Sequence, residues 1–333
     1  MNRGLIGALS LSVAFALLGG CGGSQPPIGA PGAMPQSRAI GQHAALGKSW
    51  MLPEAKSGDL LYVSSLDDGL YVFTYPNLKA AGHLEIGSTD GLCSAKNGDV
   101  FVVQFETEEI LEYPHGGSQP SNILYDTGNS PWACSVDPTT GNLAVVGGDG
   151  YRVLQNVAIF PNSSGSPIVY TYDRGIFIWC AYDEHGNLFI TNGNTFYGTL
   201  FELPKGSGSF SEIPVDKSFG DNASLQWDGK YLAIEDAPKC CPRRASGPLT
   251  VYQVQISASA GTVVKTLTFD KATNKNRRYD YGVQFWIDGG ALVAPKAHDT
   301  GVGLWRYPSG GSPVRRAPTG DEIYGVTVSR GTN

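Results

Sequence analysis

Histidine is scarce in this 333-residue chain, five in all, and no two stand at metal-ligand spacing. A histidine-based zinc site is therefore not expected. No Gly-x-Ser-x-Gly elbow occurs, so a serine triad on a strand–turn–helix corner is not expected either. Charge is sparse, with Asp, Glu, Lys and Arg making up 16% of residues and a formal net charge of −6. The longest basic runs are the pairs Arg243-Arg244, Arg277-Arg278 and Arg315-Arg316. Nucleic-acid binding needs Lys and Arg gathered along one face, and the composition argues against it. The apolar run Leu5–Leu18 is too short to span a bilayer.

What the chain has in quantity is glycine, 44 residues, with 21 prolines. Many of them punctuate a repeated phrase: a polar turn with glycine, a hydrophobic strand, a second strand ending at aromatic-Pro, and a Gly/Ser-rich turn. One copy runs from Asn97-Gly98-Asp99 to Tyr113-Pro114, and others from Gly141-Asn142 to Phe160-Pro161 and from Gly186-Asn187 to Leu203-Pro204. Further copies begin at Gly58, Gly229 and Gly289. The markers at 98, 141, 186, 229 and 289 lie 43, 45, 43 and 60 residues apart. All-strand repeats near this period predict propeller blades of four strands, here termed a to d from the axis outward. The first copy lacks strand a, and the chain finishes on a lone one, Tyr324–Ser329. The expectation is an all-β, six-bladed β-propeller whose closing blade is shared by the N- and C-terminal ends, which leaves no open array edge.

The first residues have a different character. Arg3, the apolar run and Gly19-Gly20-Cys21 read as a secretory signal. Leu18-Gly19-Gly20-Cys21 resembles the bacterial lipobox. That resemblance implies a signal peptide over 1–20 and a lipidated Cys21 at the mature N-terminus. Each buried acyl methylene contributes ~0.8 kcal/mol to membrane binding. Residues 21–57, poor in apolar periodicity, are expected to be the lipidated cysteine and a flexible tether, with the propeller over 58–333. Gly22, where an Asp would retain such a protein at the inner membrane, implies the outer membrane or cell surface of a bacterial envelope.

The segment Trp179-Cys-Ala-Tyr-Asp183-Glu-His-Gly-Asn187-Leu-Phe-Ile190 resembles the strand a–strand b signature of NHL and SMP-30/gluconolactonase-like propellers. The likeness extends over residues ~58–329 on repeat grounds and implies architecture more than chemistry, since such families include hydrolases, lyases and binders. The SMP-30-like hydrolases hold a channel metal through Glu, Asn and Asp. Neither an Asn-Asp pair nor a Ser-Pro-Asp stands here at the matching strand starts, a departure from that metal-binding pattern.

Strand alternation sorts the loops onto two faces. The a–b and c–d turns are stereotyped, whereas the b–c and d–a loops differ in every repeat and are polar. The d–a loops carry Asp90, Asn129, Asp221, Asp280 and Glu322, a set of oxygen donors suited to Ca2+ if they converge at the channel mouth. The b–c loops display Tyr151, Arg152, Phe196 and Tyr197 as ligand contacts, and His298 with Asp299 as a further contact pair. Solvated loop residues are the alternative for each. Trp132, Trp179, Trp227 and Trp286 fall on inner strands, the last of these expected over Val283–Trp286, and packing between blades is expected of them.

Cys93, Cys134 and Cys180 fall at one repeat position on three successive strands a. Packed sheets stand ~10 Å apart, so these three are expected to be unbonded small hydrophobes. Cys240-Cys241 is an adjacent pair in a long loop, with a vicinal disulfide as one possibility.

The leading functional expectation is an envelope lipoprotein that binds a small-molecule, glycan or protein partner on its variable face without catalysis. Its only other partner is the membrane, through Cys21, and it is expected to be a monomer. Two alternatives stand beside this: a calcium-type metal-dependent lactonase, hydrolase or lyase, and an envelope scaffold.

Overall fold

The computed structural model describes residues 49–126, 130–148, 155–172, 176–193, 197–236, 248–257, 259–272, 283–296, 300–320 and 322–331. Six antiparallel sheets form within them. Blade 1 contains β1 (Trp50–Met51), β2 (Leu60–Ser65), β3 (Gly69–Thr74) and β4 (Ala80–Leu84). Blade 2 is β5 (Leu92–Ser94), β6 (Val100–Gln104), β7 (Glu109–Tyr113) and β8 (Asn122–Tyr125). Blade 3 is β9 (Ser130–Val136), β10 (Leu143–Gly148), β11 (Gln155–Phe160) and β12 (Ile168–Tyr172). Blade 4 is β13 (Phe177–Tyr182), β14 (Leu188–Asn192), β15 (Thr199–Leu203) and β16 (Ser211–Ile213). Blade 5 is β17 (Leu225–Trp227), β18 (Leu232–Glu235), β19 (Leu249–Ser257) and β20 (Ala260–Phe269). Blade 6 is β21 (Trp286–Asp288), β22 (Ala291–Pro295), β23 (Gly301–Arg306) and β24 (Arg315–Pro318). The last strand, β25 (Ile323–Ser329), returns to pair with β2 and becomes the inner strand of blade 1.

The ring closes through that pairing. Inner strands touch in the order β25, β5, β9, β13, β17, β21 and back to β25. Beyond the ladder, the Ser94 hydroxyl donates to the Val328 carbonyl at 2.7 Å, and the Gly331 amide donates to Asp59 at 3.0 Å. Arg330 clasps Asp59 and Asp288 together. At Gly98 the backbone has φ +92°, and a Cβ would come within 2.5 Å of the Arg330 carbonyl, so only glycine lets the C-terminal segment cross that turn.

The apolar core is divided among the gaps between blades. Leu60, Tyr62, Leu70 and Val72 of blade 1 meet Leu92, Val102 and Leu111 of blade 2. Val63, Val326 and Val328 meet Val293 and Val302 at the closing seam. Middle strands are covered on both sides, so β2, β6, β10 and β14 read as unbroken runs of buried residues rather than alternating ones.

Three expectations are corrected. The folded blade begins before residue 58, because Trp50 and Met51 pair with His83 and Gly82 on the outer edge of β4. Residues 50–51 are thus a fifth strand of blade 1 rather than tether. The inner strand expected at Val283–Trp286 is observed at Trp286–Asp288, because Gln284 turns to other partners described below.

The third correction concerns the cysteines, since Cys93 and Cys134 form a disulfide with a Cα separation of 5.6 Å. Cys93 pairs with Phe101, the third residue after its turn glycine, but Cys134 pairs with Val145, the fourth after its own. That offset of one residue points the two side chains to opposite faces of their sheets, and therefore toward each other across the gap. Inner strands also converge on the axis, far closer than the spacing of parallel stacked sheets. Cys180 pairs with Ile190, also the fourth residue, and remains a buried free thiol. Cys240 and Cys241 lie outside the described residues.

Candidate functional site

The two faces of the ring differ in what their polar groups do. On the a–b turn face, aspartates are used up by the turns themselves. Asp137 accepts the Thr139 amide at 2.8 Å, Asp183 the His185 and Asn187 amides at 2.9 and 2.8 Å, and Asp228 the Lys230 and Tyr231 amides at 2.9 and 2.6 Å. These repeated Asx-type turns explain why the sequence is monotonous there.

The opposite face rests on a buried polar layer at the ends of the b strands. Ser65, Gln104, Asn192 and Glu235 occupy that position on four blades and all are buried. Gln104 donates to the carbonyls of Ile86 and Ser88 at 2.9 and 3.0 Å. Thr89 accepts the Ser65 amide at 3.1 Å, and Thr191 donates to the Ala223 carbonyl at 2.6 Å. The Glu235 carboxylate accepts both the Ser224 hydroxyl, at 2.7 Å, and the Ser224 amide, at 3.1 Å. These side chains satisfy loop backbone that would otherwise be buried unpaired, so the d–a loops are held firmly although their sequences differ.

At the axis, side chains fill the space between blades. Trp179 of blade 4 packs on Tyr324 of blade 1 with ring centroids 5.5 Å apart, both almost fully buried. The indole N–H donates to the Asn222 carbonyl at 3.2 Å. Gln284 reaches across to blade 2, donating to the Leu92 carbonyl at 2.8 Å and accepting the Leu92 amide at 3.0 Å. Its own amide donates to the Tyr324 carbonyl at 2.9 Å. Gly325 is needed beneath this bridge, since a Cβ there would lie 2.8 Å from the Gln284 amide oxygen and 2.9 Å from the Asp90 carbonyl.

Three of the five expected oxygen donors can be followed. Asp90 is buried, and its carboxylate turns away from the axis to accept the Phe105 amide at 2.9 Å. Its carbonyl accepts the Ser64 hydroxyl at 2.5 Å. Asp221 is half-buried beside Asn222, the residue that anchors Trp179. Glu322 is half-buried two residues before Tyr324. The three come from different blades, Asp90 with its carbonyl close to Gly325, and Asp221 and Glu322 within two residues of Asn222 and Tyr324 in the chain. Among the described residues, no group of three or more His, Cys, Asp or Glu side chains is placed to hold a metal ion. Asn129 and Asp280 lie outside the described residues, as do Tyr151, Arg152, Phe196, His298, Asp299 and Cys21. Tyr197 is 49% exposed on its b–c loop, next to Gly198, whose amide donates to the Phe219 carbonyl at 3.0 Å.

Sequence reasoning missed Phe105, Gln284 and Glu235. Phe105 packs against Trp132 at 4.5 Å, both half-buried beside Asp90 on the variable face. An aromatic directly after a strand ending in Gln was the available signal. Nothing in the local pattern marks Gln284, whose partner is 192 positions away.

No protein-family model matches the chain, and no curated protein is similar to it at significance. Similarity appears in structure. A chain of the nidogen/laminin complex superposes with a TM-score of 0.59 at 13% identity, over 83% of this chain and 99% of that one. A protein of unknown function from Bacteroides caccae superposes with a TM-score of 0.57 at 13% identity, over 82% of this chain and 100% of that one. The shared property is the propeller fold.

Burial pushes the Asp90 carboxyl up from 3.8 to about 7, with the Phe105 amide opposing the shift and Glu106 adding to it. A carboxyl raised on folding binds its proton more tightly in the native state. Its effect on stability is absent below pH ~4 and destabilising above pH ~7, with a slope of at most about 1.4 kcal/mol per pH unit between. Asp90→Asn keeps an acceptor for the Phe105 amide and removes the titration. Its melting temperature relative to the parent should rise from pH 5 to pH 8 in thermal melts. An equal difference at both pH values would show that Asp90 is ionised and solvated.

Proposed function

We propose that this protein is an envelope lipoprotein whose propeller binds a ligand or protein partner through the variable loop face, without catalysis. The observation that carries this reading is the asymmetry of the faces. One uses its carboxylates to close turns that recur from blade to blade, and the other holds sequence-divergent loops on a buried polar layer. A binding surface needs such variety on a rigid support. The plugged axis favours a partner that lies across the face over a substrate drawn into a channel. The Cys93–Cys134 bond supports an oxidising compartment, in agreement with export behind the lipobox-like Cys21.

Cys21→Ser, followed by fractionation of the native host, tests the anchor. The reading expects the protein to leave the lipid-modified membrane fraction, remaining uncleaved or becoming soluble. Unchanged membrane association would contradict lipidation. In parallel, a screen of lactones and esters should show no turnover. Hydrolysis abolished by a chelator would make the protein a metal-dependent enzyme of the gluconolactonase-like kind instead.

A further inference from the structure

Outermost strands are where a propeller is open to other chains, because each leaves a row of backbone groups without a ladder partner. Five of the six outer edges here are guarded. The β4 edge is covered by β1 from the same chain. β16 is three residues long with an exposed Glu212, β20 displays Lys265, and β24 displays Arg315 and Arg316. β8 is four residues long and none of them is exposed. The sixth edge, β12, is different. It pairs with β11 from Gln155↔Tyr172 to Ile159↔Ile168, and no described strand lies on its other side. Ile168 is 55% exposed and Val169 48% exposed, and no charged residue occurs from Pro161 to Tyr172.

The strand is also held rigid. Tyr172 stacks on Phe177 at 5.1 Å and meets Phe201 at 5.0 Å, and Tyr170 meets Phe210 at 6.1 Å, all on blade 4. Little conformational freedom remains to be lost when a partner docks.

We propose that β12 is a self-association edge, at which a second copy of this chain adds its own β12 antiparallel to form a two-fold dimer. Two-fold pairing brings a strand opposite itself, so a charge near the centre would lie opposite or diagonal to its own copy and repel. β12 alone combines exposure, length and neutrality. Centred on Tyr170, the pairing sets Val169 opposite Thr171 and Ile168 opposite Tyr172 of the other copy. The β-branched and aromatic side chains suit the continued sheet. Antiparallel strands place the two-fold axis perpendicular to the blade, so the two variable faces point in opposite directions. A dimer of this kind offers binding faces on both sides of a shared plane. The proposal does not depend on what the variable face binds.

Native mass spectrometry of the full-length protein, purified from its host in detergent, tests this directly. The wild type should give a dimer peak that grows with concentration. Val169→Lys sets a lysine opposite Thr171 and diagonal to its own copy, and should lower the dimer fraction at least tenfold while the melting temperature stays near the parent's. Thr171→Lys does the same from the facing position and serves if the first variant loses stability. A wild type that is monomeric at every concentration, a larger open oligomer, or dimers that survive both substitutions would each overturn the proposal.

Discussion

Deleting Tyr324–Asn333 should leave a chain that does not fold to a cooperative native state. The deletion removes all but the first residue of β25 and with it the inner strand of blade 1. Tyr324, Val326 and Val328 are almost fully buried. Each such apolar side chain contributes about 1.5–3 kcal/mol, a combined loss comparable with the whole stability of a typical domain, roughly 5–15 kcal/mol. The inner edge of β2 would lose its ladder, Trp179 its ring partner, and Ser94 the Val328 carbonyl. Arg330→Ala is the control. Its guanidinium is about half exposed although it touches Asp59 and Asp288. Such surface pairs are worth roughly 0.2–1 kcal/mol, so this variant should melt close to the parent. Thermal and urea unfolding of the two variants separate these cases. A truncated protein that melts with the parent would show that the two ends of the chain do not meet.

Replacing both Cys93 and Cys134 by alanine should cost about 4 kcal/mol. The bond closes a loop of 41 residues, and confining the unfolded chain to that extent is worth about this much in the chain-entropy model. Alanine leaves no polar group behind in the gap between blades 2 and 3, where both sulfurs are buried among Phe101, Val103 and Val145. The melting temperature should fall by roughly 10 °C. A single Cys134→Ala should lose as much and leave Cys93 as a free thiol detectable after denaturation. An unchanged melting temperature, or two extra thiols titrating in the denatured unreduced parent, would contradict the bond.

The architecture was legible because one physical need is written six times. Each of the five a–b turns needs a left-handed residue, supplied by the glycines at 98, 141, 186, 229 and 289, and Gly58 does the same just before the first strand b, with φ from +56° to +93° across the six. Closure was legible because the chain opens without an inner strand and ends on one. The disulfide was not, because the turn from Asp137 to Asn142 is one residue longer than the turn from Ala95 to Asp99. Reading the inner strands as Leu92–Ala95 and Ala133–Val136 set Cys93 and Cys134 at one position, while the ladders set them on opposite faces. Trp50 and Met51 were read as tether since two residues carry no period, and only the open edge of β4 makes them a strand. Asp90 was taken from its loop position as a free oxygen donor, but the carboxylate turns to the amide of Phe105. Polar residues at strand ends such as Gln104 and Glu235 look like ordinary loop starts until the loops they pin are folded over them.

The claim that function resides on the variable face is tested most directly by two photo-crosslinking positions on opposite faces. Tyr197 stands exposed on a b–c loop, and His185, with 75% of its side chain exposed, stands on the a–b turn face. A photoreactive residue at 197, in full-length protein irradiated in its native envelope, should give a discrete adduct, and the same residue at 185 should give none. Equal labelling from both faces, or an adduct from 185 alone, would contradict the account.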